Sequence, residues 1–130
     1  MKHQHFDVGT VGFYGAYWAC AGGSDCAVIA MIGDDPEDRL ARSAVKWICG
    51  RGVNVLTMSP AKKDYGHHNY PLERVETAIS WLKANGNHKI GIAGASTTGT
   101  LALTAAAMFP DVTLTIAMTP SDFVWQGFMQ

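Results

Sequence analysis

Gly91-Ile-Ala-Gly94-Ala95-Ser96-Thr97-Thr98-Gly99-Thr100-Leu101 is the stretch on which the reading of this chain turns. It continues an apolar run, Lys89-Ile-Gly-Ile-Ala93, that reads as a buried strand. It also opens a helix expected from about residue 98 to residue 109, closed by Pro110. A Gly/Ser/Thr-rich turn between strand and helix suits three chemistries. A phosphate-binding P-loop needs G-x-x-x-x-G-K-[ST]; Gly94 and Gly99 have that separation, but Thr100 stands where the lysine belongs. A dinucleotide site wants an acidic residue about 20 positions on, at the end of the next strand. Asp111 is near that distance but ahead of its strand, and no Tyr-x-x-x-Lys pair of the short-chain dehydrogenase kind occurs. A nucleophile elbow needs a serine on a tight strand-to-helix bend with small residues two before and two after it.

Gly94 supplies the first of those small residues, and Thr98 takes the second place, where glycine is usual. The pattern is therefore G-x-S-x-T-G, and Gly99 is the residue that would let the bend open around the branched Thr98. In this arrangement the Ser96 hydroxyl lies at the helix N-terminus and the backbone N–H of Thr97 faces a developing oxyanion. The second N–H is expected from Gly33, Asp34 or Asp35, after an earlier strand; Pro36 has none to give. Serine ahead of a helix also serves as a simple cap, so the placement of the turn in the fold has to decide.

Working outward, strands and helices alternate. Residues 26–32 and 53–58 are short apolar runs that read as strands buried on both faces, residues 112–118 read as another, and an earlier one is expected over residues 11–19. A helix after residues 26–32 is expected to be capped by Asp35, with Pro36 in its first turn. Its apolar face would be Leu40, Ala44, Val45, Trp47 and Ile48, and Gly50 or Gly52 would end it. Pro71 opens a second helix with Leu72, Val75, Ile79 and Leu82 as its stripe, and Asn85-Gly86 ends it. This alternation predicts a single α/β domain over residues 1–130, three layers deep with a mostly parallel sheet. Ligand sites in such sheets lie beyond the C-terminal strand ends, at residues 33–35, 59–70, 94–99 and 119–128.

Composition narrows the function. Of 130 residues, 48% are hydrophobic and only 16% charged, which excludes a disordered chain. Ten basic residues against eleven acidic give a net charge of -1, without the basic field a nucleic-acid partner requires. Cys20, Cys26 and Cys49 form no C-x-x-C pair and read as buried, reduced thiols, which points to a cytoplasmic protein. The longest apolar run is too short to span a bilayer, so no membrane partner is expected. Adjacent Asp34 and Asp35 read as helix-terminal acids, and no metal is expected.

Residues 89–128 resemble the C-terminal catalytic domain of the α/β-hydrolase family of acyl-CoA thioester hydrolases and bile acid-CoA:amino acid N-acyltransferases. The residues that carry the resemblance are Gly94-Ala-Ser96-Thr-Thr-Gly99, Leu101-Ala-Leu, Phe109-Pro110 and Thr119-Pro-Ser-Asp122-Phe-Val-Trp125-Gln-Gly127-Phe. Residues 26–88 follow the same element order with weaker motifs, and the first 25 residues add only the early strand. The resemblance implies a serine-type hydrolase or acyltransferase acting on a small acyl ester or acyl-CoA thioester through a Ser96 acyl-enzyme. CoA would be a leaving group, and no cofactor is implied.

In that fold the triad runs serine, acid, histidine along the chain. Here His3, His5, His67, His68 and His88 all precede Ser96. The expectation is therefore an α/β-hydrolase-like unit lacking its C-terminal strands, the N-terminal portion of a larger domain and inactive alone. Asp122 is a candidate acid, or a cap within Pro120-Ser121-Asp122. His67 and His68 are candidate substrate contacts, or part of a solvated loop. Trp125 is a candidate wall of an acyl pocket, whereas Trp47 and Trp81 read as packing residues. Two other readings stay open: a nucleotide-binding domain, and a non-catalytic domain that forms a homo-oligomer through the open edge of the strand at residues 112–118.

Overall fold

A computed structural model describes residues 3–6, 11–31, 35–58, 72–95 and 97–118. Among these residues six strands form one sheet: β1 (His3–Phe6), β2 (Gly15–Trp18), β3 (Cys26–Met31), β4 (Asn54–Met58), β5 (Lys89–Ala95) and β6 (Val112–Met118). The helices are α1 (Arg39–Cys49), α2 (Leu72–Ala84) and α3 (Thr97–Met108). The sheet order is β1-β2-β4-β3-β5-β6. Strands β4, β3, β5 and β6 are mutually parallel, while β2 runs antiparallel to both β1 and β4.

β3, β4 and β5 lack polar–apolar alternation because both their faces are covered, whereas β6 alternates and leaves Leu114 and Ile116 exposed. On one face Ala27, Ile29, Met31, Leu56, Met58, Ile90 and Ile92 meet Val75, Ala78, Ile79 and Leu82 of α2 and Ala102 and Ala105 of α3. On the other face Ala16, Trp18, Ala30 and Val55 meet Val45 of α1. The sheet thus lies between two helical layers, the α/β class expected from the alternation of elements.

The α2 stripe matches expectation, and Gly86, at φ +90°, supplies the left-handed residue that ends the helix. α1 differs in two respects. Its cap is Asp38, whose carboxylate accepts from the Ala41 N–H at 2.8 Å; Asp35 lies in the preceding loop. The start is displaced because Asp35 binds the Glu37 N–H at 2.8 Å, closing a turn of its own first. The buried α1 stripe is Ala41 and Val45, flanked by Ala44, Ile48 and Cys49, whereas Leu40 and Trp47 are 61% and 58% exposed. The Arg51 guanidinium covers the Trp47 ring at 3.9 Å, so a solvent-side tryptophan is partly shielded by a cation.

The N-terminal segment forms more than the one early strand expected. β1 and β2 make an antiparallel pair that clothes the outer edge of β4. Phe6 stacks edge-on to Phe13 and Trp81, which anchors β1 over α2. Cys20 is buried, Cys26 and Cys49 are half-buried, and all three thiols are free. Burial, with Cys20 close by, pushes the Cys49 thiol above its ordinary pKa, so it is a poor nucleophile.

Candidate active site

The strand order sets where chemistry can occur. From β3 the chain crosses one face through α1 to β4, then returns over the other face through α2 to β5, on the far side of β3. The direction of winding reverses between β3 and β5, and sheets of this kind bind ligands in the crevice outside the C-terminal strand ends at such a reversal. β3 and β5 pair directly there, with Met31 opposite Gly94. The C-terminal ends of β3 and β5 therefore lie side by side.

β5 ends at Ala95 and α3 begins at Thr97, so a single residue in the sequence joins strand to helix. Ser96 itself lies outside the described residues, as do Asp34, His67, His68, Asp122 and Trp125. Thr97 is the first residue of α3, where a backbone N–H has no partner within the helix. Gly94 is buried against β3. Asp35 is described, and its N–H is already engaged, donating to the Asp38 carboxylate at 3.2 Å.

The loop that carries Asp35 is tied down from several sides. Thr57 on β4 accepts the Trp18 indole N–H at 3.0 Å, and its hydroxyl lies 2.6 Å from the Pro36 carbonyl, to which it donates. Arg42 donates from Nε to the Glu37 carbonyl at 2.8 Å. His3 and His5 both reach the Glu37 carboxylate, Nε2 to Oε2 at 2.7 Å and Nδ1 to Oε1 at 2.5 Å. Burial raises the Glu37 pKa, but the hydrogen bonds and charge of the two histidines outweigh it, so the carboxyl is held below its ordinary range. An open pocket of about 350 Å³ sits beside this loop, lined by Tyr14, Asp35, Glu37 and Asp38.

Sequence reasoning missed the Glu37 cluster. The signal was present in His3-Gln-His5, since alternate residues of a strand share a face. What the sequence did not carry was the pairing of β1 with β2, which brings that face to Glu37. Among the described residues no group of three histidine, cysteine or acidic side chains is arranged to hold a metal, and no helix is long and apolar enough to cross a membrane.

The fold is similar to that of solved α/β hydrolases and esterases. The chain superposes on a candidate α/β hydrolase of unknown function from Agrobacterium tumefaciens with a TM-score of 0.69 at 13% identity, covering 94% of this chain and 63% of that one. It superposes on Est1E from Butyrivibrio proteoclasticus with a TM-score of 0.69 at 19% identity, covering 92% and 51%. An esterase from Pyrococcus furiosus gives 0.64 at 16% identity, covering 88% and 53%. The chain spans between half and two thirds of the length of these structures. No family model and no curated protein matches it.

Proposed function

We propose that this chain carries the nucleophile half of an acyl hydrolase or acyltransferase site. Ser96 attacks an ester or acyl-CoA thioester, and the Thr97 N–H with the Asp34 N–H receives the oxyanion. The observation that supports this best is the one-residue junction between β5 and α3, at the C-terminal end of β5 beside that of β3, where the winding reverses. Because the Asp35 N–H is spent on Asp38, the role of second donor goes to Asp34. The resemblance to thioester hydrolases and N-acyltransferases supports an ester or acyl-CoA thioester as substrate, with Asp122 as the candidate acid, His67 and His68 as substrate contacts and Trp125 in the acyl wall.

A serine without a base keeps an ordinary hydroxyl. With every histidine ahead of Ser96, the 130-residue chain is expected to show negligible turnover. Added imidazole supplies a diffusing base in place of one whose positioned equivalent is worth about 10²–10⁴-fold in rate. The expected result is acetylation by p-nitrophenyl acetate that rises with imidazole, maps to Ser96 by peptide mass spectrometry and vanishes in Ser96→Ala. Robust turnover without imidazole that is lost in Ser96→Ala would overturn the prediction of inactivity. Identical acylation of both proteins would overturn the nucleophile.

A second reading rests on a different observation. Among the described residues β6 is the last strand of the sheet, with Leu114 57% and Ile116 43% exposed, and its sequence has no charge or proline to guard the edge. Antiparallel pairing of two copies about Thr115 would set Leu114 opposite Ile116 of the second copy, the self-complementarity a two-fold contact requires. This reading expects a dimer by light scattering that Ile116→Lys converts to monomer with unchanged circular dichroism. A monomeric parent chain at its highest soluble concentration would rule it out.

A further inference from the structure

Glu37 stands at the meeting point of three elements. From β1, His3 and His5 each give one nitrogen to one of its carboxylate oxygens. From α1, the Arg42 Nη2 lies 4.0 Å from Oε2. Within the loop, its own N–H is held by Asp35, and Asp38 joins the Asp35 and Ala41 N–H groups. Tyr14 shares the neighbouring pocket wall. The histidines are themselves supported. His3 stacks on Trp18 with ring centroids 4.1 Å apart, His5 meets Tyr14 edge-on at 5.2 Å, and Arg42 lies over Trp18 at 5.3 Å.

Such an arrangement exceeds what capping α1 needs, since Asp38 already does that. A carboxylate gripped through both oxygens loses its rotational freedom, and its backbone with it. That backbone lies three residues after Asp34, to which the proposed function gives the second oxyanion donor. We propose that Glu37, bracketed by His3 and His5, is a positioning residue for that donor, and that acid releases the bracket. The inference rests on the proposed function for what is positioned, but not for the bracket itself.

The sign of the acid effect follows from the charges. While Glu37 is ionised, either protonation state of the histidines can donate to it, through one N–H in the neutral ring or with added charge in the imidazolium. Once Glu37 takes up a proton, His3, His5 and Arg42 face one another with no anion between them. Because the folded carboxyl is held below its ordinary range, its contribution is present above the unfolded carboxylate range and is lost as pH falls through the lower folded value.

The test is amide hydrogen exchange in the 130-residue chain, comparing parent, Glu37→Gln and the double variant His3→Gln/His5→Gln. Both variants are expected to speed exchange at Glu37, Asp38 and Ala41 at least tenfold relative to the β4 amides. The parent is expected to show the same loosening as pH falls below the ordinary carboxylate range, and Glu37→Gln no such acid step. The second readout is the Ser96-dependent, imidazole-assisted acylation, expected to fall about tenfold in Glu37→Gln because one misplaced oxyanion donor costs up to about 10²–10³. Exchange within twofold of the parent in both variants overturns the bracket. Faster exchange with unchanged acylation overturns the positioning role. Absence of Ser96-dependent acylation in the parent sinks the hydrolase reading instead, and the exchange data still decide the bracket.

Discussion

Asn87→Leu is expected to destabilise the fold by about 3 kcal/mol, since each buried polar group left without a partner costs about 1–3 kcal/mol. Asn87 is fully buried and Asn54 is 4% exposed. Asn54 donates to Asn87 Oδ1 at 2.9 Å and to the Ser24 carbonyl at 3.1 Å, and accepts the Cys20 N–H at 2.9 Å. Asn87 in turn donates toward the Leu82 carbonyl and the Tyr17 hydroxyl, both at 3.2 Å. This network joins the entries to β3, β4 and β5 with the end of α2, at the end of the sheet opposite the candidate site. A leucine of similar volume keeps the packing and removes the polar partners. The measurement is the urea midpoint at unchanged slope, which separates lost stability from a changed unfolded state. A loss below about 1 kcal/mol would show that the network is dispensable.

That network also shows what could be read from the sequence and what could not. The runs of β3 and β4 and the stripe of α2 stand out because burial on two faces leaves an unbroken apolar run and burial of one helical face a periodic one. β6 shows its strand by alternation, although Leu114 and Ile116 are exposed. β5, ending at Ala95, and α3, beginning at Thr97, flank the position between them much as the strand and helix expected around the Gly94–Gly99 motif. Local signals failed where a long-range partner decides. Asp35 and Asp38 are equally good caps in sequence, and the choice falls to Asp38 because Asp35 holds the Glu37 N–H. Leu40 and Trp47 look like core on a helical wheel, but β4 and β3 meet the neighbouring stripe, Ala41 and Val45. β1 is four residues with two histidines, and only its pairing with β2 makes it a strand. The same holds for Glu37. One acid among Asp34, Asp35, Glu37 and Asp38 carries no mark of two histidines more than 30 positions away.

The largest steric effect is expected at Gly15. A Cβ built there lies 2.4 Å from the Thr57 carbonyl oxygen, closer than real Cβ atoms come, and the obstacle is backbone. In register, Gly15 pairs with Met58 and Ala16 with Thr57, so β2 and β4 cannot separate at this point without losing ladder bonds. Gly15→Ala is therefore expected to cost about 3 kcal/mol or more, at the upper end for overpacking. In a domain of this size that lowers the melting temperature by roughly 10 °C. The displacement has a direction. Pushing Thr57 away from β2 stretches its contact with the Ala16 carbonyl, now 3.2 Å, and its bond from the Trp18 indole, and carries along the hydroxyl that holds Pro36. Pro36 adjoins Glu37, so the variant should also speed amide exchange at Glu37 and Asp38, while Asn87→Leu, acting at the far end of the sheet, should leave those amides near parent rates under native conditions. If both variants loosen the β3–α1 loop equally, the loop reports only global stability and its anchoring through Thr57 is wrong. If Gly15→Ala melts within about 2 °C of the parent, the β2–β4 approach is looser than 2.4 Å implies.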